Sequence, residues 1–216
     1  MLYLSGANKI NRCCVPVLSL KDPRVWSIRR TDARLKDKKL LSGGQFSRVF
    51  ESDHSNRVLK LTADRAHVEY LIGKKAPAGP FKPVVFEDYG VVGKTSQRLD
   101  VHLLEVEKLQ SLRTGTHNYR MANALSNWCL SPHIPFPGPR EILEGPFKPL
   151  SELFCDELLE FMKQVNRFSV GIDCSLDVKV SNFMERQDGA FIFSDPVCDQ
   201  DALFALNYPQ KGVSIS

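Results

Sequence analysis

Between residues 39 and 106 the apolar positions come in short clusters. Leu40-Leu41, Arg48-Val49-Phe50, Val58-Leu59-Lys60-Leu61, Val84-Val85-Phe86 and Val101-His102-Leu103-Leu104 are each bounded by Gly, Asp, Ser or Pro. That pattern predicts strands. One helix interrupts them, capped by Thr62 or Asp64 and running through Ala66 to Leu71 before Gly73. After residue 107 the period changes to that of a helix. Met121, Leu125 and Trp128 define one helix, and Phe154, Leu158, Phe161, Val165 and Phe168 define another that starts near Ser151. A rigid proline loop, His133 to Pro139, separates them. Short strands around Phe183 and Phe191-Ile192-Phe193 follow, joined by a hairpin turn at Gln187-Asp188-Gly189. The pattern predicts an α+β fold with a strand-rich half (36–106), a helical half (107–216) and a groove between them. Residues 1–35 read as an N-terminal extension in which Arg24, Arg29, Arg30 and Arg34 surround Trp26 and Ile28. A solvated flank with one aromatic anchor explains it, and a nucleic-acid or partner patch is the competing reading.

Composition narrows the class only slightly. A chain of 216 residues suits one globular unit or two small lobes and buries roughly 70% of its unfolded surface. The net charge of +4, from 29 basic and 25 acidic residues, tolerates an anionic ligand without requiring one and does not call for nucleic acid. The six cysteines lack paired metal-ligand spacing, and Cys13 and Cys14 are adjacent, so free thiols in a reducing cytosol are expected. There is no apolar run of the ~20 residues a membrane span needs. No basic-then-apolar leader opens the sequence, so the expected location is cytoplasmic. Gly-Pro-Phe-Lys-Pro occurs at 79–83 and 145–149, which reads as shared turn vocabulary and not as a repeat architecture.

The candidate chemistry sits in residues 177–195. Asp177 and Asn182 lie five apart on a loop, and Asp195 follows thirteen residues later at the end of an apolar strand. Folding the intervening hairpin back brings Asn182 and Asp195 together. Phosphoryl transfer has a charged, loose transition state, so its catalysis is mainly positioning and electrostatics. Mg²⁺ takes oxygen ligands, which an Asn carbonyl and an Asp carboxylate supply. A metal-free carboxylate orients the attacking hydroxyl, and a lysine two residues on reaches the transferred phosphate. A polar hairpin with scattered acids is the plain alternative.

These residues resemble the protein kinase catalytic loop, H-R-D-x-K-x-x-N, followed by its metal-binding D-F-G. Ser42-Gly43-Gly44-Gln45-Phe46-Ser47 resembles the glycine-rich phosphate loop, with serines at the first and third glycine positions. Arg57-Val58-Leu59-Lys60 resembles the strand V-A-I-K. The resemblance implies that Lys60 binds the α and β phosphates of ATP, that Asn182 and Asp195 hold Mg²⁺, and that Asp177 and Lys179 act on the transferred group. Glu69, nine residues after Lys60, is the candidate ion-pair partner, with a solvated helix glutamate as the competing reading. Leu103 to Glu107 resembles the adenine-binding hinge, with Leu104 as gatekeeper and the Glu105 carbonyl and Glu107 amide as hydrogen-bonding groups. Gly44-Gln45-Phe46-Ser47, Arg57 to Lys60, Ser175-Leu176-Asp177 with Asn182-Phe183-Met184, and Ser194-Asp195-Pro196-Val197 are similar to motifs of the small early serine/threonine protein kinases of T-odd coliphages. That resemblance implies a two-lobed protein-kinase-like fold and action on host proteins during phage takeover, in the host cytoplasm.

Ser175-Leu176 replaces the usual His-Arg, and Pro196-Val197 replaces Phe-Gly. Control by a phosphorylated activation loop and a flip of the metal segment are therefore not expected. With 21 residues after Asp195 and no Ala-Pro-Glu motif, the helical lobe is expected to be reduced. Asp173 reads as an acid supporting the site or as a loop cap. His54, His67, His102, His117 and His133 read as surface or structural residues. Two other functions compete: a small-molecule phosphotransferase resembling the aminoglycoside kinases, and an inactive kinase-shaped protein that inhibits a host factor by contact.

Overall fold

The computed structural model describes residues 17–129 and 154–199. The proline loop at 133–139, the second Gly-Pro-Phe-Lys-Pro copy, Cys13, Cys14 and His133 lie outside the described residues. Those described form a mixed α+β structure with mostly antiparallel sheet and four α-helices.

The chain order is α1 (Pro23–Thr31), β1 (Leu40–Gly43), β2 (Ser47–Glu51), β3 (Arg57–Thr62), α2 (Arg65–Ile72), β4 (Val85–Lys94) and β5 (Asp100–Glu107). There follow β6 (Gln110–Ser111), α3 (His117–Cys129), α4 (Asp156–Gly171), β7 (Ser175–Leu176) and a single 3₁₀ turn (Val180–Asn182). β8 (Phe183–Glu185), β9 (Phe191–Phe193) and β10 (Val197–Cys198) end it. β1 to β5 form one antiparallel sheet in the order β1-β2-β3-β5-β4, β6-β8-β9 form a second, and β10-β7 a third.

The central strands β3 and β5 of the large sheet are buried on both faces. That is why β3 reads as a nearly continuous apolar run and not as a clean alternation. Leu59 and Leu61 join Phe50, Val101 and Leu103 on the outer face, where Val17, Leu18, Val25, Ile28 and Leu35 cover them. Val58, Leu104 and Val106 face inward and share a core with Tyr70 and Leu71 of α2, Leu125 of α3, Phe161 of α4 and Phe183, Phe191 and Phe193.

Two expectations need correction. The extension contains a helix, α1, whose Asp22 side chain caps the Arg24 amide ahead of Pro23. Its anchors are Val25 and Ile28, while Trp26 stays 45% exposed. β4 is also much longer than Val84–Phe86. Its register against β5 shifts between Val85 and Glu87, between Asp88 and Val91, and between Val91 and Gly93. Bulges of this kind destroy the period of two on which strand recognition depends. Within them Gly90, at φ 72°, takes a conformation that suits glycine.

Candidate active site

The site is assembled by three local devices. Asp64 caps α2 through the His67 amide at 3.0 Å, which aims Ala66, His67, Tyr70 and Leu71 inward and leaves Glu69 exposed. The β8–β9 hairpin turns at Gly189, φ 86°, where the Asp188 carboxylate accepts from the Ala190 amide at 2.9 Å. Pairing of Phe183 with Phe193 then sets Asn182 beside Asp195. The Asn182 carbonyl accepts from the amides of Ser194 at 2.9 Å and Asp195 at 3.2 Å. Finally, β7 pairs with β10, Leu176 opposite Val197, and the Asp177 amide donates to the Pro196 carbonyl at 2.8 Å. The loop carrying Asp177 is thereby fastened to the segment that follows Asp195. Asp173, at φ 53° just past α4, ends that helix in a left-handed conformation, the loop-cap reading.

The side chains then converge. Asn182 Nδ2 donates to the Asp177 carbonyl at 2.6 Å and to Asp177 Oδ2 at 3.0 Å. Lys179 Nζ lies 2.6 Å from Asp177 Oδ1. Lys60 Nζ lies 2.6 Å from His67 Nε2, and His67 Nδ1 lies 2.6 Å from Asp195 Oδ1. Burial opposes ionisation of Asp195, but His67, Lys60 and Lys179 outweigh it and hold its carboxyl down at about 2. Asp195 is therefore an anion at every physiological pH. Burial pushes the neighbouring Asp64 carboxyl upward.

The side-chain oxygens of Asn182 and Asp195 are of the kind a hard cation takes. Asn182 turns its amide nitrogen toward Asp177, which leaves its side-chain Oδ1, met by the Ser181 hydroxyl at 3.5 Å, as a hard donor. Asp195 Oδ1 is buried without an aligned hydrogen bond, while 35% of that side chain remains exposed, so the exposure falls on the rest of the carboxylate. Among the described residues no group of three or more His, Cys, Asp or Glu has metal-site spacing. A two-ligand site is the expected form for Mg²⁺ that draws its other oxygens from phosphates and water.

The glycine turn lies next to Lys60. Ser42 pairs with Val49, Val49 with Lys60 and Lys60 with Leu104, one row across the sheet. The turn is closed by the Gly44 amide on the Ser47 carbonyl at 3.0 Å. Arg48 packs beneath it, with Nη1 on the Ser47 carbonyl at 2.6 Å. A side chain at Gly43 would meet Arg48 Cδ at 2.8 Å.

Three expected residues fall elsewhere. Glu69 is on the exposed side of α2, and Lys60 meets His67 instead. Helical spacing carries the signal that finds His67: it shares a face with Tyr70 and Leu71, and Glu69 does not. Glu105 sits in the ladders opposite Leu59 on one side and Glu87 on the other, and its side chain pairs with Arg57 at 3.0 Å on the outer face and accepts from Ser52. The Glu107 amide is spent on the Val84 carbonyl at 2.9 Å, and its carboxylate is gripped by Arg186 at 2.7 and 2.9 Å. β5 stays inside its ladders to this point. The chain crosses from the large sheet to β6 only at Lys108-Leu109, further along than the sequence suggested.

Comparison of the chain with protein-family models, curated proteins and solved structures gives no match.

Proposed function

We propose that the chain is an ATP-dependent phosphotransferase of two-lobed, protein-kinase-like architecture, acting as a serine/threonine protein kinase of the phage type on host proteins. The observation that carries this reading is the meeting of Lys60, Asp195, Asn182 and Asp177. They come from a strand of the large sheet, the end of β9, the 3₁₀ turn and the loop after β7, and they gather into one charged cluster. Polar residues scattered over a hairpin would not converge in this way.

In this reading Lys60 binds the α and β phosphates beside the turn at Ser42, Gly43 and Gly44. Asn182 and Asp195 would hold Mg²⁺, which supplies charge neutralisation to the phosphates. Asp177 orients the acceptor hydroxyl and takes its proton on the carboxylate, whose place is fixed by Asn182 Nδ2 and Lys179. Lys179 stabilises the transferring phosphoryl group. The Glu107 amide, engaged by the Val84 carbonyl, is not free to bind adenine.

The test is incubation with Mg²⁺ and γ-labelled ATP, with bacterial lysate proteins in one arm and aminoglycosides in another. Label on protein serine or threonine is expected. Label only on the small acceptors would move the assignment to the aminoglycoside-kinase-like class. No transfer in either arm, with ATP bound, would leave a contact inhibitor.

A further inference from the structure

We propose that His67 is a positioning residue that ties Lys60 to Asp195 through one neutral imidazole, taking the place that an acidic partner of Lys60 was expected to fill. The functional consequence rests on the phosphotransferase reading; the bridge itself does not.

The bridge follows from donor and acceptor chemistry. A lysine ammonium has three donors and no acceptor. His67 Nε2 lies 2.6 Å from Lys60 Nζ, so it must be the acceptor, because two N–H groups cannot face one another at that distance. The imidazole is then neutral, with its proton on Nδ1. That nitrogen is 2.6 Å from Asp195 Oδ1; the contact is close without being aligned as a hydrogen bond, and neither buried atom has a hydrogen-bond partner elsewhere. The ring is held from several sides. Its backbone amide is fixed to Asp64 Oδ1 at 3.0 Å, and Tyr70 tilts against it at 6.1 Å. The side chain is only 1% exposed. Lys60, Asp195, Asp64 and Tyr70 are thus the titratable groups that face it. The phosphate lysine and the metal aspartate become one unit, with Oδ1 engaged and the open side of the carboxylate left for the metal.

A glutamate at position 67 would satisfy Lys60 but set a second carboxylate against Asp195 Oδ1, where like charges oppose joint ionisation. A glutamine offers one acceptor and one donor, as the imidazole does. The bridge therefore predicts that His67→Gln is the tolerated substitution and His67→Glu the damaging one. A simple lysine–acid pair would give the reverse order.

Two measurements decide it. In metal-free, nucleotide-free protein, long-range ¹H–¹⁵N spectra should show His67 fixed as the Nδ1–H tautomer, with that fixation lost in Lys60→Met. An Nε2–H tautomer or an averaging ring in the wild type overturns the bridge without reference to any variant's folding. Calorimetric titration with ATP, with and without Mg²⁺, should then show His67→Glu weakening the Mg²⁺-dependent affinity by about 10–100-fold, the scale for losing a group that orients a metal ligand. His67→Gln should lose much less. Equal affinities for wild type and His67→Glu would sink the positioning role. Failure of the wild type to bind ATP at all would sink the phosphotransferase reading, and the tautomer would still settle the bridge.

Discussion

Asp177 and Asp195 stand close together, yet their surroundings assign them different work. Asp177 is held by Asn182 Nδ2 and Lys179, as suits a group that orients a hydroxyl. Replacing Asp177 with Ala should lower turnover by about 10²–10⁴-fold, the scale for losing a general base. ATP affinity by titration should change little, and a fully active variant would remove Asp177 from the reaction. Asp195 is instead held ionised by His67, Lys60 and Lys179, with its carboxyl at about 2 against an ordinary 3.8. A carboxyl whose native value lies below its unfolded value stabilises the fold while it is charged. That contribution is complete above pH ~4 and disappears as pH falls through about 2. Allowing for solvent screening of the exposed third of the side chain, it is worth about 1–2 kcal/mol. Urea unfolding at successive pH values should show the gap between wild type and Asp195→Asn narrowing by that amount between pH 4 and 2. A gap independent of pH would mean that Asp195 is not held by His67 and the two lysines.

At the scale of elements, α1 shows what local sequence reveals and what it hides. Asp22-Pro23 is a helix-start signal, and Val25 and Ile28 are spaced for one buried face. The surrounding arginines gave the segment the look of a solvated flank, and only the sheet's outer face explains why it is buried. The docking depends on Gly93 of β4, where a Cβ would come within 2.5 Å of Ile28 Cδ1 and 2.8 Å of Cγ1. Gly93→Val should therefore push α1 off the sheet and cost about 1–3 kcal/mol, the range for overpacking. Thermal unfolding and the exposure of Trp26 would report it, and an unchanged midpoint would show that the helix adjusts freely. The same contrast runs through the site. Asn182 and Asp195 were legible because a hairpin and its turn lie between them in sequence. The Lys60–His67 contact was legible only in part, since periodicity gives the face of α2 but not what that face meets. The Glu107 assignment failed because the end of a ladder is set by a partner strand, and Val84 is remote in sequence. β4 was undercounted because its bulges break alternation.

Across the whole molecule, the two halves expected from the sequence share one interior. Val58, Leu104 and Val106 of the large sheet lie in the same core as Phe161, Phe183 and Phe193. The Tyr70 hydroxyl donates to the Phe193 carbonyl at 2.9 Å. Arg186, at the end of β8, adds a polar clamp: it bonds both Glu107 oxygens, the Pro80 carbonyl at 2.8 Å and the Lys82 carbonyl at 2.9 Å. Glu107 in turn accepts from the Val84 amide at 2.8 Å. Removing the guanidinium strands a mostly buried carboxylate and the part-buried Lys82 carbonyl, so Arg186→Met should cost about 2–4 kcal/mol. A continuous core also makes the halves unfold together. Trp26 lies in α1 and Trp128 in α3, so Trp128→Phe and Trp26→Phe variants each report one half by fluorescence. Their urea transitions should coincide in the wild-type background, and both should shift by the same amount when Arg186→Met is added. Two separated midpoints would show that the shared core does not couple the halves. A shift confined to the Trp128 signal would place the Arg186 clamp within one half instead of between them.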